Sequence, residues 1–343
     1  MSSPLLRLTS HQFDLPLEHP FTISRSTVSV QPTLIVELSD GTFTGYGEAT
    51  TNDYYGMTME RMVSAIDSVR SLVEGVTELE PEELWKLVNT QLPDDPFALC
   101  ALDQAAYDLW GKQQGAPVYR LWNLDPTTVP PSNFTIGIDS VEKMVEKLRE
   151  VPGWPVYKIK LGTSDDLQII RELRKHTDAT FRVDANCGWS VDQTINHSKE
   201  LKDLDVEFIE QPLPADDVEG AKQVFENSAL PIIADESCIV EDDVARCQGR
   251  FHGVNIKLVK CGGLTPARRM IRKARELDLR VMVGCMTEST VGISAIGQLL
   301  PLLDYVDMDG AALLAKDIAE GVRVEKGICH YPDRNGSGVQ LLA

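Results

Sequence analysis

After residue 132, short apolar runs alternate with amphipathic segments, and this alternation constrains the fold more than any other feature of the sequence. The apolar runs are FTIGI, VYKIKLG, FRVDAN, EFIEQPL, IIADES, GVNIKL, VMVGCM and YVDMDG. The segments between them include SVEKMVEKLREV, SDDLQIIRELRKH and TPARRMIRKAREL. Strands that alternate with helices form parallel sheets with crossover helices. Eight such units predict an α/β fold, a modified (β/α) barrel of the TIM type.

The chain before residue 132 does not follow this alternation. Two β-rich stretches, TLIVELSD and TFTGYGEA, lie on either side of Asp40-Gly41 and predict a hairpin. Helical patterns follow near residues 58–74, 80–90 and 97–114. Strands followed by helices indicate an α+β domain. Prolines between residues 126 and 131 mark a boundary, so we expect an α+β domain over residues 1–128 and a barrel domain over residues 129–319.

Each predicted barrel strand ends in a residue that can bind or react, 22 to 28 positions after the one before it. These residues are Thr135, Lys160, Asp184, Glu210, Asp235, Lys257, Cys285 and Asp307. In a closed barrel the carboxyl ends of the strands meet at one mouth, where active sites lie. We therefore expect these side chains to surround a single pocket.

Three of these residues, Asp184, Glu210 and Asp235, are carboxylates at the ends of buried strands. A carboxylate in such a place is costly unless it is paired or binds a cation. Three hard oxygen ligands on neighbouring strands suit Mg²⁺. The alternative is that each acid caps a strand end or forms an ion pair, but the regular spacing of all three favours a metal site.

The lysines indicate acid–base chemistry. Lys158 and Lys160 project from the same face of one strand, and their mutual repulsion predicts a lowered pKa for one or both. Lys257 ends the strand four positions further around the ring, so it faces Lys160 across the acids. Two such bases can remove a proton from one face of a carbon and return it to the other. The alternative is that these lysines extend their ammonium groups to solvent from strand ends.

Further charged residues indicate how a substrate is recognised. Asp307 and Asp309 lie on one face of a strand and can bind a cationic group such as an α-ammonium. Arg25 lies in PFTISRSTVS and would bind a substrate carboxylate if that loop folds over the barrel mouth. The pair Gly262-Gly263 precedes a helix and resembles a phosphate-binding loop, although a sharp turn is the simpler interpretation.

These motifs are familiar in combination. KIK, VDANCGW, IEQPLP, IADES and VNIKLVKCGGL resemble the enolase superfamily and its muconate-lactonizing subgroup. The ending DMDG, preceded by GCMTES, is similar to dipeptide epimerases, and PFTISRS is similar to the corresponding loop of L-Ala-D/L-Glu epimerases. The resemblance spans nearly the whole chain. It implies a TIM-like barrel with a capping domain that the C-terminal tail, from about residue 320 to 343, completes.

The resemblance also implies the chemistry. Asp184, Glu210 and Asp235 would bind Mg²⁺, and Lys160 and Lys257 would be the two acid/base catalysts. The protein would be an isomerase that inverts the α-carbon of the C-terminal residue of a dipeptide by proton transfer through an enediolate. Sites of this superfamily combine a lysine or histidine base with Mg²⁺. L-Ala-D/L-Glu-type dipeptides from cell-wall turnover would be the substrates.

The residues implied to contact the substrate are Arg25, Thr135, Lys158, Cys285, Asp307 and Asp309. Lys158 would contact the substrate carboxylate and lower the pKa of Lys160. Asp307 and Asp309 would bind the ammonium end of the dipeptide, and Arg25 would bind the side-chain carboxylate of a C-terminal Glu or Asp.

Other functions remain open at this point. N-acylamino acid racemisation, o-succinylbenzoate synthesis and cycloisomerisation use the same kind of intermediate, but Asp307 and Asp309 favour a cationic substrate group, which those substrates lack. A barrel that binds a ligand without turnover would not need the full set of acids and lysines. A phosphate-sugar barrel enzyme would depend on the Gly-Gly pair alone.

Composition narrows the partners and the compartment. A net charge of −19 argues against nucleic acid and anionic membranes, because phosphate binding needs clustered Lys and Arg. Seven Cys without a CxxC pair are typical of reduced thiols, so we expect a cytoplasmic protein. The sequence contains neither a signal-peptide pattern nor an apolar run of the roughly 18 residues that a membrane span needs. A homo-oligomer is compatible with these observations.

Overall fold

The computed structural model describes residues 6–24 and 26–342, which contain strands and helices in the predicted order. The strands are β1 (Arg7–Ile23), β2 (Ser26–Ser39), β3 (Thr44–Thr50), β4 (Phe134–Ile136), β5 (Val156–Lys160), β6 (Thr180–Asp184), β7 (Val206–Glu210), β8 (Ile232–Ala234), β9 (Gly253–Lys257), β10 (Arg280–Gly284), β11 (Tyr305–Asp307), β12 (Ala319–Glu320), β13 (Arg323–Glu325), β14 (Ile328–His330) and β15 (Gln340–Leu341). The helices are α1 (Met59–Glu74), α2 (Pro81–Asn89), α3 (Pro96–Gln114), α4 (Val118–Leu121), α5 (Val141–Glu150), α6 (Asp166–Arg174), α7 (Val191–Asp203), α8 (Val218–Asn227), α9 (Glu241–Cys247), α10 (Leu258–Cys261), α11 (Leu264–Glu276) and α12 (Thr290–Gly297), with 3₁₀ turns at Leu300–Leu302 and Gly310–Leu313.

The eight predicted barrel strands form one parallel sheet in chain order, from β4 to β11. An isolated parallel bridge between Ser132 and Val306 joins β11 back to the chain just before β4, so the sheet closes into a barrel. Every residue of β5 and β9 is buried, as expected for strands covered on both faces. The prediction of a TIM-like barrel is confirmed.

The N-terminal region is built on a second, smaller sheet. Strands β1, β2 and β3 pair antiparallel, and the hairpin predicted at Asp40-Gly41 joins β2 to β3. Helix α3 packs tightly on β3: a Cβ added at Gly45 or Gly47 would lie 2.2 or 2.0 Å from a backbone oxygen of α3. These glycines therefore allow a helix and a strand to approach more closely than any side chain permits. The region is an α+β cap on the barrel.

Two buried carboxylates join the cap to the barrel. Asp103 on α3 accepts hydrogen bonds from the backbone N (2.9 Å) and Oγ1 (2.8 Å) of Thr265 on α11. Glu48 on β3 accepts hydrogen bonds from the backbone N and Oγ of Ser289 and from the backbone N of Gly292, at the start of α12. An anion at a helix N-terminus satisfies backbone N–H groups that lack partners within the helix.

The C-terminal segment returns to the cap. Strand β12 pairs with β15, and the backbone N of Val118 donates to the carbonyl oxygen of Gly336 (3.0 Å). The side chain of Lys112 on α3 donates to the carbonyl oxygen of Val339 (3.1 Å). Within residues 6–24 and 26–342, no helix combines the length and the apolar character needed to cross a bilayer. No disulfide joins cysteines in this part of the chain.

Candidate active site

A cavity of 810 Å³ opens at the carboxyl ends of the barrel strands. The barrel residues predicted for the site that line it are Thr135, Lys160, Asp235, Lys257, Cys285, Asp307 and Asp309. The opposite wall comes from the cap, where the end of β1, the start of β2 and the loop after β3 contribute residues such as Ile23, Val28 and Tyr54. The structure therefore brings together, around one pocket, side chains that are far apart in sequence.

The three predicted metal ligands converge. One carboxylate oxygen from each of Asp184, Glu210 and Asp235 lies within 4.8 Å of those of the other two, and all three side chains are buried. Burial and the nearby charge of Asp184 raise the pKa of Glu210 to about 7. Three hard oxygen donors from adjacent strands fit a small divalent cation such as Mg²⁺, and a cation would relieve the repulsion among them.

The two predicted base lysines lie on different sides of this cluster. Lys160 Nζ on β5 lies 2.7 Å from Asp184 Oδ2, and Lys257 Nζ on β9 lies 2.9 Å from Asp235 Oδ2. Four steps of the eight-stranded sheet separate β5 from β9. Burial would lower the pKa of Lys257, but the carboxylates of Asp235 and Glu210 hold it above its ordinary value. Each lysine is therefore fixed by a different acid of the cluster.

Lys158 lies beneath the cavity, one layer of side chains below Lys160 on β5. Its Nζ lies 2.8 Å from Glu210 Oε2, 2.8 Å from Asp307 Oδ2 and 3.2 Å from Asp184 Oδ2, and the residue is only 1% exposed. Burial would lower the pKa of Lys158, but these three carboxylates raise it well above its ordinary value. Repulsion between the two lysines predicted a lowered pKa, and at Lys158 the surrounding acids reverse that effect.

Asp307 and Asp309 form a second acidic group beside the first. Asn133 Nδ2 donates to Asp307 Oδ1 (2.7 Å), and the backbone N of Thr135 donates to Asp309 Oδ2. Burial and the charge of Asp307 raise the pKa of Asp309 well above its ordinary value, whereas Lys158 outweighs burial and lowers the pKa of Asp307. A cation bound here would relieve this unfavourable pairing of carboxylates.

Cys285 lies next to these two aspartates, with its Sγ within 4.8 Å of an oxygen of each. Burial and the charges of Asp307 and Asp309 raise the pKa of the thiol well above its ordinary value. A thiol in this environment stays protonated at neutral pH and is a poor nucleophile. Its position in the wall of the cavity fits contact with a substrate.

Arg25 lies outside the described residues, but its neighbours show where the turn between β1 and β2 runs. Ser24 Oγ donates to the carbonyl oxygen of Asn186 (3.3 Å), in the loop after β6. The carbonyl oxygen of Thr22 accepts a hydrogen bond from the backbone N of Ile138 (2.8 Å), just after β4. The end of β1 and Ser24 thus lie over the barrel mouth.

The Gly-Gly turn before α11 binds an anion from within the protein. Gly262 and Gly263 have φ values of +93° and +118°, and a Cβ at Gly263 would lie 2.4 Å from Asp103 Oδ2. The carboxylate of Asp103 thus occupies the position at the start of α11 where a phosphate would have to lie. The sharp-turn interpretation explains these glycines, and the phosphate-sugar alternative loses its main support.

Several polar residues of the site were not identified from the sequence. Asn255 Nδ2 donates to Glu210 Oε1 (2.7 Å), and Lys260 Nζ donates to Asp235 Oδ1 (2.6 Å). Glu236 and Tyr55 line the cavity. A lysine inside the otherwise apolar turn LVKC was the available signal for Lys260. From the sequence, the residues at strand ends were considered, and Lys260 lies beyond the end of β9.

Family models match nearly the whole chain. Residues 8–122 match the N-terminal domain of mandelate racemase/muconate lactonizing enzyme, and residues 140–343 match the enolase C-terminal domain-like family. The chain is 56% identical to the L-Ala-D/L-amino acid epimerase of Flavobacterium johnsoniae, an alignment that covers 98% of this chain and 100% of that protein. It is 37% identical to the L-Ala-D/L-Glu epimerase of Bacteroides thetaiotaomicron, over 98% of this chain and 88% of that protein.

A solved structure shares the fold over the same extent. The dipeptide epimerase of Cytophaga hutchinsonii, complexed with Mg and the dipeptide D-Ala-L-Val, superposes with a TM-score of 0.92 and 25% identity. The match covers 98% of this chain and 96% of that chain.

Proposed function

The chain belongs to the mandelate racemase/muconate lactonizing enzyme family of the enolase superfamily, and from this membership we propose that it is a Mg²⁺-dependent dipeptide epimerase. It is an isomerase that inverts the α-carbon of the C-terminal residue of a dipeptide. The observation that carries this proposal is the pair of lysines on either side of three clustered carboxylates, both lining one cavity.

The two lysines perform the proton transfer. Lys160 or Lys257 removes the α-proton from one face of the substrate, and the ammonium of the other lysine returns a proton to the opposite face. The α-carbon inverts because the returning proton arrives from the opposite side. Since the reaction runs in both directions, each lysine acts as base for one isomer and as acid for the other.

Removal of the α-proton gives an enediolate, and its negative charge must be stabilised. Asp184, Glu210 and Asp235 would hold Mg²⁺, which when bound supplies positive charge to that anion. Lys158 contributes a permanent positive charge from below the cavity, where its ammonium is fixed by three carboxylates. From this position Lys158 would stabilise the charge of the substrate carboxylate and of the enediolate from below.

The remaining residues of the cavity orient the dipeptide. Asp307 and Asp309 bind the α-ammonium at its N-terminal end, and Thr135 and Cys285 contact the peptide nearby. Relatives of this chain act on L-Ala-D/L-amino acid and L-Ala-D/L-Glu dipeptides, so an L-Ala dipeptide is the proposed substrate. Arg25, which follows Ser24 in the sequence, would bind an acidic C-terminal side chain.

The proposal extends to the compartment and the partners of the enzyme. Seven cysteines with no disulfide among the described residues fit a reducing cytoplasm. The charge of −19 disfavours nucleic acid and anionic membranes as partners. A homo-oligomer is compatible with these properties.

A dipeptide library incubated with the enzyme and Mg²⁺ in D₂O tests the proposal. We expect deuterium to enter the α-position of the C-terminal residue, with conversion of L-Ala-L-Xaa to L-Ala-D-Xaa, detected by mass spectrometry and chiral chromatography. Removal of Mg²⁺ with a chelator should abolish both signals, and added Mg²⁺ should restore them. Exchange with N-acylamino acids but with no dipeptide would instead assign the chain to N-acylamino acid racemisation.

A further inference from the structure

Each of the three clustered carboxylates has one oxygen that accepts a hydrogen bond from a residue outside the three acids. These bonds run from the backbone N of Asn186 to Asp184 Oδ1 (2.9 Å), from Asn255 Nδ2 to Glu210 Oε1 (2.7 Å) and from Lys260 Nζ to Asp235 Oδ1 (2.6 Å). The second oxygen of each acid, Oδ2 or Oε2, faces a lysine of the site. One oxygen is thus anchored while the other is presented.

Lys260 differs from the other two anchors because it carries a full charge. It is completely buried, and its Nζ also donates to the carbonyl oxygens of Asp235 (2.6 Å), Cys238 (2.9 Å) and Asn255 (3.3 Å). A buried ammonium is costly unless acceptors surround it. Here one ammonium connects the end of β8, the turn after it and β9, all of which border the cluster.

We propose that Lys260 is a positioning residue for the cation site: its ammonium fixes the Asp235 carboxylate so that Oδ2 faces the cluster and Lys257. This inference rests on the proposed function, since it assumes that Asp235 binds Mg²⁺. Lys260 is not among the described residues that line the cavity, so it acts on substrate and metal through Asp235 and not by direct contact. Removal of a group that orients a metal ligand typically weakens metal binding by roughly 10- to 100-fold.

Another lysine provides a matched control. Lys112 Nζ in the cap lies 2.7 Å from Asp108 Oδ2 and 2.7 Å from the carbonyl oxygen of Thr44. It therefore makes the same kind of contacts as Lys260, to a buried carboxylate and to backbone carbonyls, but away from the cavity. Loss of Lys112 should destabilise the fold without changing the cation site.

Titration calorimetry with Mg²⁺ alone, without substrate, tests the proposal. We expect Lys260→Met to weaken Mg²⁺ binding at least about tenfold, Lys260→Arg to recover part of the loss, and Lys112→Met to bind like wild type. Thermal unfolding is measured beside each titration so that all variants are compared while folded. If Lys260→Met does not fold, Lys260→Gln, which keeps a donor but not the charge, replaces it.

Wild-type affinity in the Lys260 variants would overturn the proposal, as would an equal loss in Lys112→Met. The proposed function fails separately, if the wild-type protein binds no Mg²⁺ and epimerises no dipeptide.

A second measurement uses α-proton exchange at saturating Mg²⁺. Because Asp235 Oδ2 contacts Lys257 and not Lys160, Lys260→Met should slow exchange through Lys257 more than exchange through Lys160. Equal slowing would also overturn the proposal.

Discussion

The barrel and the cap form opposite walls of one cavity and contribute different kinds of side chain to it. The barrel wall carries charged side chains that are nearly inaccessible to solvent, such as Lys160 and Lys257, at 7% and 8% exposed. The cap wall carries mostly neutral groups from the end of β1, the start of β2 and the loop after β3, and Tyr54 and Val30 are 51% and 47% exposed. Under the proposed function, the barrel would perform the chemistry and bind the ammonium end of the dipeptide, and the cap would select the C-terminal side chain.

The physical basis of this division is the rigidity of each wall. Strands fix their side chains through ladder hydrogen bonds and dense packing, which keeps reacting groups in place. The cap wall comes from the end of a hairpin and from a loop, and such exposed segments tolerate substitution and are suited to recognition. The two walls keep their relative position because Asp103 and Glu48 of the cap accept hydrogen bonds from the barrel helices.

The largest effect should follow a change in the barrel wall. We expect Lys257→Ala to reduce epimerisation by at least about 1,000-fold, because general acid–base catalysis alone contributes about 10²–10⁴-fold and Lys257 is the proposed acid and base on its side of the cluster. Binding of the dipeptide should persist, since its contacts lie elsewhere. Chiral chromatography measures the loss, and calorimetry measures the binding.

The same variant tests the division of labour between the lysines. In D₂O, Lys257→Ala should still exchange the α-proton of one stereoisomer, through Lys160, and Lys160→Ala should exchange only the other. Exchange lost from both isomers in either variant would show that the two lysines do not act independently.

The connection between the walls should respond to pH. Burial raises the pKa of Asp103 to about 7, despite its bonds from Thr265. Between about pH 4 and pH 7 the folded protein therefore holds a proton that the unfolded chain has released, so stability falls as pH rises through this window and then levels off. Asn cannot ionise and removes this loss. When the pH is raised from 5 to 8, the free energy of unfolding of Asp103→Asn should increase relative to that of wild type by on the order of 2 kcal/mol.

Chemical denaturation at several pH values measures this difference. A difference between variant and wild type that does not change with pH would contradict a raised pKa for Asp103. Activity at pH 8 should be retained in the variant, since Asp103 is not among the described residues that line the cavity.

Asp309 sharpens the comparison because it is a barrel residue with a proposed role in recognition. We expect Asp309→Asn to raise KM about tenfold for dipeptides with a free α-ammonium, because the bound cation would keep Asp309 ionised beside Asp307 and Asn cannot supply that charge. Steady-state kinetics with a dipeptide and its N-acetylated analogue provides the measurement. An equal effect on both substrates would remove Asp309 from the ammonium site.

The sequence was informative for the barrel wall because spacing and periodicity determine it. Lys160, Asp184, Glu210 and Lys257 each end a strand, and closure of the ring follows from eight such units. Lys260 was missed because it lies in α10, beyond the end of β9, and its bonds to Asp235 and Cys238 after β8 follow from no periodicity.

The cap wall was less predictable for the same physical reason. Its strands and helices follow from local patterns, but the path of the turn between β1 and β2 depends on contacts to the barrel, such as the bond from Ser24 to Asn186. The union of Asp103 with the Gly-Gly turn joins positions 160 or more apart, and only the folded chain reveals it.

The smallest effect should come from the cap wall itself. Arg25 follows Ser24 in the sequence, and a solvent-exposed ion pair between an arginine and a substrate carboxylate is worth about 1 kcal/mol or less in water. Arg25→Ala should therefore raise KM about threefold to fivefold for L-Ala-L-Glu, with kcat little changed, and should leave KM for L-Ala-L-Ala unaltered. Steady-state kinetics with both dipeptides checks this. If both KM values rose together, Arg25 would lie outside the side-chain pocket, and selection of acidic substrates would have to come from the barrel wall.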